Sequence, residues 1–337
     1  MKGIGVVGLG YWGPLLVRNF HQHLGGGLRV CCDRDQRQLA NVGRSYPAMR
    51  LTTNPADVFE SDDIDAVAIA TPAHTHYALV KQALDAGKSV LVEKPMAVST
   101  AEAEELVDLA RQKGLVLMVD HVYVFSPAVQ KVKELVDARE LGKVLFIDSV
   151  RINLGLFRQD VNVVWDLAPH DLSIVDYLIG RSPRSVAAFG TVHGGCDQEA
   201  VAYLTLHFDG GLIANFHVNW LSPVKIRHMM IGGNKKSVVF NDLRAEEPVK
   251  VYDSGIRVRA ESDVEDRRRL LVDYRTGDVW SPHIARAEPL QNVVRHFAEC
   301  VDEGKTPLTD GKAGLRIVRI LEAAQHSIKA QGGRITL

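Results

Sequence analysis

Short apolar runs alternate with helix-forming segments through the first 120 residues of this chain. The runs that predict strands end at Val7, Cys32, Ala70, Val92 and Val119. Most of them are apolar on both faces, as expected where helices cover the two sides of a parallel sheet. This order predicts an α/β fold built on a doubly wound parallel sheet.

The pattern changes after His121. Runs such as Val201 to Phe208 and Leu212 to Trp220 alternate apolar with polar residues, which is typical of an antiparallel sheet with one covered face. Because 337 residues exceed what one hydrophobic core usually serves, we predict two domains. The first comprises residues 1–121, and the second, an α+β domain with a mainly antiparallel sheet, comprises residues 122–337.

Three later stretches belong to the second predicted domain. Helical spacing predicts helices near Pro289 to Asp302 and Lys312 to Gln331. The segment from Ala245 to Thr276 is rich in charged residues. We expect that segment to form a loop or an irregular edge of the sheet.

Charge and composition argue against several functional classes. The formal net charge is −1, with acidic and basic residues interspersed, so no basic patch favours nucleic acid or a membrane surface as a partner. No apolar run is long enough to span a bilayer. Four cysteines without a signal peptide favour reduced thiols and a cytoplasmic location.

A glycine-rich turn follows the first predicted strand and opens a helix. Its sequence, Gly8-Leu9-Gly10-Tyr11-Trp12-Gly13, fits the G-x-G-x-x-G pattern of dinucleotide sites. The three glycines allow a tight turn, close approach of a pyrophosphate, and close packing of helix on strand. The helix N-terminus offers backbone amides to the phosphates, so the sequence predicts a dinucleotide site here.

The residue that ends the second strand bears on the choice of cofactor. Asp33 lies where a carboxylate binds the two ribose hydroxyls and would repel a 2′-phosphate. The sequence therefore favours NAD. Arg34 and Arg37 could receive that phosphate, which leaves NADP possible. We expect Tyr11, Trp12 and Arg34 to line the cofactor site with the glycines and Asp33.

A charged tripeptide, Glu93-Lys94-Pro95, lies just past the apolar run Ser89 to Val92. Ligands of open parallel sheets bind outside the carboxyl ends of the strands. Lys94 is therefore expected to reach whatever the nucleotide carries, as a hydrogen-bond donor, a fixed charge or a proton shuttle. Pro95 leaves a cis peptide bond possible.

Another loop is predicted at the same edge of the sheet. Thr71 and Pro72 end the preceding strand, and His76 follows them near the expected position of the nicotinamide ribose. His74 and His76 have the spacing of a metal-binding pair, but no nearby Cys, Asp or Glu completes a set. We therefore expect a cofactor-binding loop and no metal.

A further constellation, Trp165-Asp166-Leu167-Ala168-Pro169-His170, contains an acid and a histidine four residues apart. Proline fits best near a helix start, so we expect Asp166 to be the N-cap or first residue of a helix that ends at Ile179. Asp166 and His170 would then share one face, where a carboxylate raises the basicity of the ring. The alternative is that Asp166 only caps the helix and His170 packs beneath it.

These motifs together resemble the glucose–fructose oxidoreductase / inositol dehydrogenase / MocA family over essentially the whole chain. The resemblance rests on five short stretches: GLGYWGP from Gly8, Ala70-Thr71-Pro72 with His76, Glu93-Lys94-Pro95, Asp166-x-x-x-His170, and Pro307 to Gly311. One departure is Val124, because many members carry an arginine just before the phenylalanine that is Phe125 here.

The resemblance implies an N-terminal Rossmann domain and a C-terminal open-faced sheet that often makes oligomer contacts, here in a homodimer or homotetramer. It also implies hydride transfer between a nicotinamide and a sugar, polyol or nucleotide-sugar carbon. By the family pattern, Glu93 and Lys94 belong to the cofactor site, and Lys94 contacts the substrate hydroxyl. His170 is the acid/base of the Asp166–His170 pair.

We therefore predict an NAD(P)-dependent oxidoreductase that acts on a secondary hydroxyl or keto group of a sugar-like substrate, with Lys94, His170 and Asp166 as catalytic residues. Further substrate contacts are expected from four residues: Tyr123, Asn153, Arg158 and Trp165. Two functions of other classes remain as alternatives. One is a redox-silent, NAD-binding sugar sensor or regulator, and the other is a glycosidase that uses NAD for transient oxidation.

Overall fold

The computed structural model describes residues 3–155, 161–193, 195, 197–258 and 272–337. The chain forms two compact units, residues 1–126 with 287–323 and residues 127–286 with 324–337. The sequence predicted a single boundary after residue 121. The observed units differ from it chiefly because residues 287–323 belong to the first unit.

The helices are, in chain order, α1 (Gly13–Leu24), α2 (Gln36–Ser45), α3 (Ala56–Phe59), α4 (His76–Asp85), α5 (Thr100–Lys113), α6 (Pro127–Asp137), α7 (Val163–Ile179), α8 (Pro289–Glu303) and α9 (Gly311–Lys329). Along the described residues, no helix combines the length and apolar character needed to cross a membrane.

The strands are, in chain order, β1 (Ile4–Val7), β2 (Leu28–Cys32), β3 (Arg50–Thr52), β4 (Ala66–Ile69), β5 (Ser89–Glu93), β6 (Leu117–Asp120), β7 (Val144–Leu154), β8 (Ser185–Val192), β9 (Glu199–His207), β10 (Ile213–Asn219), β11 (Leu221–Gly233), β12 (Ser237–Asn241), β13 (Val249–Tyr252), β14 (Gly255–Val258), β15 (Val272–Arg275), β16 (Val279–Trp280) and β17 (Ile335–Thr336).

The first unit contains a six-stranded parallel sheet in the order β3-β2-β1-β4-β5-β6. Every residue of β1, β4, β5 and β6 is buried, as expected of strands with both faces covered. The strand order reverses between β1 and β4, and ligands of such sheets bind outside the carboxyl ends of the strands at this point. The predicted doubly wound Rossmann sheet is confirmed.

Helix α8 packs within the first unit although it lies far along the chain. The rings of Phe20 on α1 and Phe297 on α8 meet edge to face, with centroids 6.4 Å apart. Asn292 of α8 donates to the carbonyl of Phe125 at 3.1 Å. Glu288, which precedes α8, pairs with Arg18 of α1. These contacts explain why residues 287–323 belong to the first unit.

The second unit contains a nine-stranded sheet in the order β16-β13-β12-β11-β7-β10-β9-β8-β17. Neighbouring strands are antiparallel except for β7 and β10, which run parallel. Side chains alternate between the two faces. Ala188, Leu204 and Phe216 are buried, whereas Phe189 and Tyr203 on the other face are 60% and 54% exposed. The predicted mixed, mainly antiparallel sheet with an open face is confirmed.

One local expectation was wrong. Helix α7 begins at Val163, not at Asp166, because the side chain of Asn162 accepts a hydrogen bond from the Trp165 amide and caps the helix. Pro169 lies inside the helix, where its ring nitrogen lacks the N–H that would bond the preceding turn. Of the stretch Ala245 to Thr276, expected to be a loop or an irregular edge of the sheet, the structure describes residues 245–258 and 272–276, which contain β13, β14 and β15. Residues 259–271 lie outside the described residues.

Candidate active site

The glycine turn after β1 has the geometry of a phosphate-binding loop. Gly8 has a φ of +94°, and a side chain there would lie 2.6 Å from the Ala70 backbone. A side chain at Gly13 would strike the carbonyl of Gly8. At Gly10 the position of a side chain is open, with no atom within 4 Å. The turn therefore leaves room for a pyrophosphate at the one glycine where approach is needed.

Helix α1 begins directly after this turn. Its N-cap, Trp12, makes no side-chain capping hydrogen bond, and its first turn contains no acidic residue. Unpaired amides and the positive end of the helix dipole suit a phosphate. Trp12 is half-buried, whereas Tyr11 is 82% exposed. The residues present thus fit the phosphates of a dinucleotide.

Asp33 is fixed beside the turn by two backbone amides. Its Oδ2 accepts a hydrogen bond from Leu9 at 2.5 Å and its Oδ1 accepts one from Asp35 at 2.8 Å. Each oxygen keeps a further lone pair for a ribose hydroxyl. Arg34, in the loop after β2, and Arg37, at the start of α2, are both exposed. Either could contact the 2′-phosphate that distinguishes NADP from NAD.

Histidine 76 joins two loops at the carboxyl edge of the sheet. Its ring nitrogens lie 2.7 Å from the carbonyl oxygen of Thr71 and 2.7 Å from that of Pro95. Thr71 also borders the glycine turn, since a side chain at Gly8 would lie 2.8 Å from its methyl group. Contacts thus run from Gly8 through Thr71 and His76 to Pro95, the residue after Lys94. Burial lowers the pKa of His76.

Because both His76 nitrogens lie against protein carbonyls, the histidine can support the cofactor site through the two loops that it joins. Direct contact of His76 with a cofactor remains a prediction. Pro72, in the loop between Thr71 and His76, is exposed. The peptide bond between Lys94 and Pro95 is cis.

Lys94 follows β5 at the same edge and is half-buried. The preceding residue, Glu93, pairs in register with Asp120 at the end of β6. Glu93 is 8% exposed and Asp120 is 3% exposed. Burial raises the pKa of both carboxyls, and the nearby positive charge of Lys94 opposes that rise. A cation and two buried acids thus lie together beside the predicted cofactor site.

His121 follows Asp120 and is also buried, with 2% exposure. Burial, with a further contribution from the charge of Lys94, lowers the pKa of His121 to about 3. The ring is therefore neutral at physiological pH. Tyr123 lies in the short turn Val122–Phe125 that comes next and is half-buried.

In the second unit, Asp166 and His170 lie one turn apart on α7, and both are half-buried. The indole Nε1 of Trp220 donates to Oδ2 of Asp166 at 3.1 Å. Trp220 itself is buried, with 1% exposure. Asp166 is therefore held by Trp220 and does not cap the helix. It lies one turn before His170, where residues four apart share a face, and contact between the two side chains stays a prediction.

Asn153 lies close to the same tryptophan. A side-chain carbon placed on Gly155 would be 3.3 Å from Nδ2 of Asn153 and 2.7 Å from the Trp220 ring. The amide of Gly155 donates to the Trp220 carbonyl at 2.8 Å. Asn153 and Trp220 thus lie on the same side of Gly155, and Trp220 also binds Asp166.

The start of α7 is fixed from another side. Nδ2 of Asn162 donates to Glu199 at 2.8 Å and also contacts Gln325. Farther along the helix, Asp171 of α7 forms a buried ion pair with Arg151 of β7, through two hydrogen bonds of 2.7 and 3.0 Å. These contacts place the turn that bears Asp166 and His170 on the sheet.

The remaining expected substrate contacts are less informative. Trp165 is half-buried in the first turn of α7. Arg158 lies outside the described residues. Among the described residues, no group of three or more His, Cys, Asp or Glu side chains could hold a metal ion. The assignment of individual catalytic, cofactor and substrate residues stays a prediction.

Sequence patterns did not predict a role for Asp120, Trp220 or the Arg151–Asp171 pair. Asp120 could have been found, because it ends β6 as Glu93 ends the neighbouring β5. Trp220 carries no comparable signal, since its hydrogen bond to Asp166 spans 54 residues. Arg151 stands in an alternating strand, where a charged residue would ordinarily be read as facing solvent.

Comparisons with known proteins agree with this architecture. Residues 2–121 match the profile described as "Oxidoreductase family, NAD-binding Rossmann fold", GFO_IDH_MocA. Residues 129–239 match the profile described as the GFO/IDH/MocA C-terminal domain. The first match lies in the first unit and the second match lies in the second unit, and the change of pattern after His121 falls between them.

Several of the relatives are named as dehydrogenases. Over 319 residues the chain is 28% identical to scyllo-inositol 2-dehydrogenase (NAD(+)) of Bacillus subtilis, covering 90% of this chain and 87% of the relative. Over 170 residues it is 31% identical to UDP-N-acetylglucosamine 3-dehydrogenase of Acidithiobacillus ferrooxidans, covering 50% and 53%. A levoglucosan dehydrogenase solved with NADH and levoglucosan has the same fold, with a TM-score of 0.82, 20% identity and coverage of 99% and 98%.

Proposed function

Because the chain belongs to the GFO/IDH/MocA oxidoreductase family, we propose that it transfers a hydride between a nicotinamide and a secondary hydroxyl or keto group of a sugar-like substrate. The observation that carries this proposal is the position of Lys94. It follows β5 at the sheet edge where Gly8, Thr71 and His76 connect the glycine turn to Pro95. A cation at that point suits a reaction in which negative charge develops on a substrate oxygen.

NAD is the cofactor that the first unit fits best. The glycine turn and the start of α1 would hold the pyrophosphate, and Asp33 would accept the ribose hydroxyls. NADP stays possible through Arg34 and Arg37. When bound, the nicotinamide supplies a hydride acceptor or donor; all proton movement falls to protein side chains.

In the oxidation direction, His170 accepts the proton of the substrate hydroxyl while the C–H bonding pair leaves as hydride, and a C=O bond forms. Lys94 donates a hydrogen bond to the same oxygen and stabilises its developing charge. Asp166 orients the His170 ring and keeps it basic. The hydrogen bond from Trp220 to Asp166 supports this role, because it fixes the carboxylate on the turn that carries His170.

A sugar, nucleotide sugar or cyclic polyol is the proposed substrate class. Such molecules need several polar contacts, and Tyr123, Asn153, Trp165 and Arg158 are proposed to supply them beside the catalytic residues. The names of the relatives, which act on an inositol and on a nucleotide sugar, support the same class.

Assembly and location complete the proposal. We propose a homodimer or homotetramer that forms through the open face of the second-unit sheet, where Phe189, Tyr203 and His217 form a row across three strands. Light scattering of the wild type and of Tyr203→Glu tests this, and an unchanged mass of a single chain in both would refute it. A reducing, cytoplasmic environment is supported by the free thiols of Cys31, Cys32 and Cys300.

The test is a screen of the purified protein with NAD and NADP against sugars, inositols and nucleotide sugars. Appearance of reduced nicotinamide, followed by its absorbance, is the expected result for at least one polyol. Tight NAD binding without any turnover would support the sensor alternative. Cleavage of a glycoside without net reduction of NAD would support the glycosidase alternative.

A further inference from the structure

The carboxyl ends of β5 and β6 bring two acids side by side. Glu93 and Asp120 are partners in the parallel register and are almost fully buried. Among the described residues, no N–H or O–H group donates a hydrogen bond to either carboxylate oxygen of Asp120. Two adjacent carboxylates with so little access to water repel each other, and one of them is driven to hold a proton.

A hydrogen bond between the two side chains exists only in that state. Two ionised carboxylates have four acceptor oxygens and no donor, whereas one protonated carboxyl donates to the other. Glu93 and Asp120 are register partners on neighbouring parallel strands, which places their side chains next to each other on the same face of the sheet. One shared proton therefore gives the otherwise unpartnered Asp120 a hydrogen bond.

The charges around Glu93 and Asp120 also indicate that the two acids hold one proton between them. Lys94 adds one positive charge at the end of β5. His121, after β6, is neutral because burial lowers its pKa to about 3. His76 on α4 feels the charge of Lys94, and burial lowers its pKa as well. A pair with one shared proton carries a charge of −1 and balances Lys94, whereas a fully ionised pair would leave an uncompensated buried charge.

We propose that Glu93 and Asp120 share one proton and that the single negative charge they keep holds Lys94 in place as an ammonium ion. Asp120 is then a positioning residue that acts through Glu93 and Lys94. The expected effect on turnover rests on the proposed function, in which Lys94 binds the substrate oxygen. The sharing of a proton between Glu93 and Asp120 does not depend on that function.

Amide substitutions separate the charge from the shape. Glu93→Gln and Asp120→Asn each leave one carboxylate and supply an N–H in place of the shared proton. Each single variant therefore keeps the charge of −1. The double variant, Glu93→Gln with Asp120→Asn, keeps nearly the same volume but removes the negative charge.

The first measurement is infrared spectroscopy of the protein near neutral pH. We expect a band from a protonated carboxyl in the wild type that is absent from both single variants, because the remaining acid is ionised in each. Absence of the band from the wild type, or its persistence in both variants, would overturn the shared proton.

The second measurement is an NMR titration of the lysine side chains in isotope-labelled protein, with the Lys94 signal assigned by its loss in Lys94→Ala. We expect the pKa of Lys94 to be similar in the wild type and the single variants and to fall in the double variant, which lacks the counter-charge. A Lys94 pKa that is equal in all four proteins would overturn the role of the pair.

Turnover provides the third readout once a substrate is known. Each single variant should lose at least about tenfold less kcat/KM than the double variant, since each exchanges one hydrogen bond for another and keeps the charge of −1. The double variant should lose about 100-fold or more, mainly in kcat, because a partly buried cation is left without its partner. Failure of the substrate screen would count against the proposed function, whereas the infrared and NMR results decide the pair independently.

Discussion

Among the described residues, Asp, Glu, Lys and Arg side chains are buried in two places, one with opposite charges and the other with like charges. In the second unit, Arg151 and Asp171 are opposite charges joined by two hydrogen bonds, and their side chains are 3% and 5% exposed. In the first unit, Glu93 and Asp120 are like charges in register beside Lys94. The charges of Arg151 and Asp171 balance each other, whereas the acidic pair needs a proton and a cation for its charge to be balanced.

This difference separates structure from chemistry. The ion pair between Arg151 and Asp171 fixes α7 to β7, and its charge is balanced without a bound ligand. A group of acids with raised pKa values beside a half-buried lysine is an arrangement that proteins keep mainly where chemistry needs it. Substitutions at the Arg151–Asp171 pair should therefore change stability. Substitutions of Glu93, Lys94 and Asp120 should change activity.

The largest expected effect is on turnover. Lys94→Ala and His170→Ala should each lower kcat by about 10²–10⁴, the usual contribution of a positioned acid, base or charge. NAD binding, followed by fluorescence titration, should persist in both. Lys113→Ala and His23→Ala are matched controls at exposed positions on α5 and α1. Full activity of Lys94→Ala or His170→Ala on a verified substrate would remove that residue from the mechanism.

The next effect is on stability. Arg151→Met leaves Asp171 buried and unpaired, and the free energy of unfolding should fall by about 3–5 kcal/mol. Replacing both partners, by Arg151→Met with Asp171→Leu, should cost much less. Urea unfolding measures both.

The control for this experiment is Arg111→Met, whose pair with Asp108 is exposed. Its unfolding free energy should change by less than about 1 kcal/mol. An equally small loss in Arg151→Met would mean that the buried pair does not hold α7.

A smaller effect is expected at Asp33, an acid bound by backbone amides. Asp33→Ala should weaken NAD binding by about 1.5–3 kcal/mol, the range for hydrogen bonds to charged groups. Binding of NADP should weaken less, because the variant no longer repels the 2′-phosphate. Calorimetric titration with both cofactors measures the preference, and an unchanged ratio of affinities would contradict the role of Asp33.

The smallest effect is a pH dependence of stability. Because folding raises the pKa of Glu93 and Asp120, the folded protein binds protons more tightly than the unfolded chain. The stabilisation is fully present below the unfolded pKa values of about 4 and is lost as pH rises through the folded ones, by at most about 1.4 kcal/mol per pH unit for each proton.

Asp120→Asn removes one of the two carboxyls whose pKa is raised by folding. The stability of this variant relative to the wild type should therefore rise as pH increases from about 4. Urea unfolding over a pH series measures the difference. A difference that falls or stays constant with pH would contradict a raised pKa at this position.

Local patterns predicted most of the fold. The apolar runs ending at Val7, Cys32 and Val92 predicted strands of the parallel sheet, because burial on both faces leaves a continuous apolar sequence. The start of α7 was predicted wrongly, because Pro169 suggested a helix start while the capping residue, Asn162, lies seven positions earlier in the chain. The cap itself is local, since Asn162 accepts from the Trp165 amide. Its side chain is also held by Glu199 and Gln325, which are distant in sequence and leave no local signal.

The sequence by itself determined the dinucleotide turn, the Glu93-Lys94-Pro95 corner and the Asp166–His170 spacing, since each depends on residues within one turn or one loop. Only the tertiary structure decided that Asp120 lies beside Glu93, that Trp220 holds Asp166, and that residues 287–323 join the first unit. Strand order, register and helix packing depend on contacts between distant residues, and a linear pattern records which side chains are apolar but not which partner each one meets.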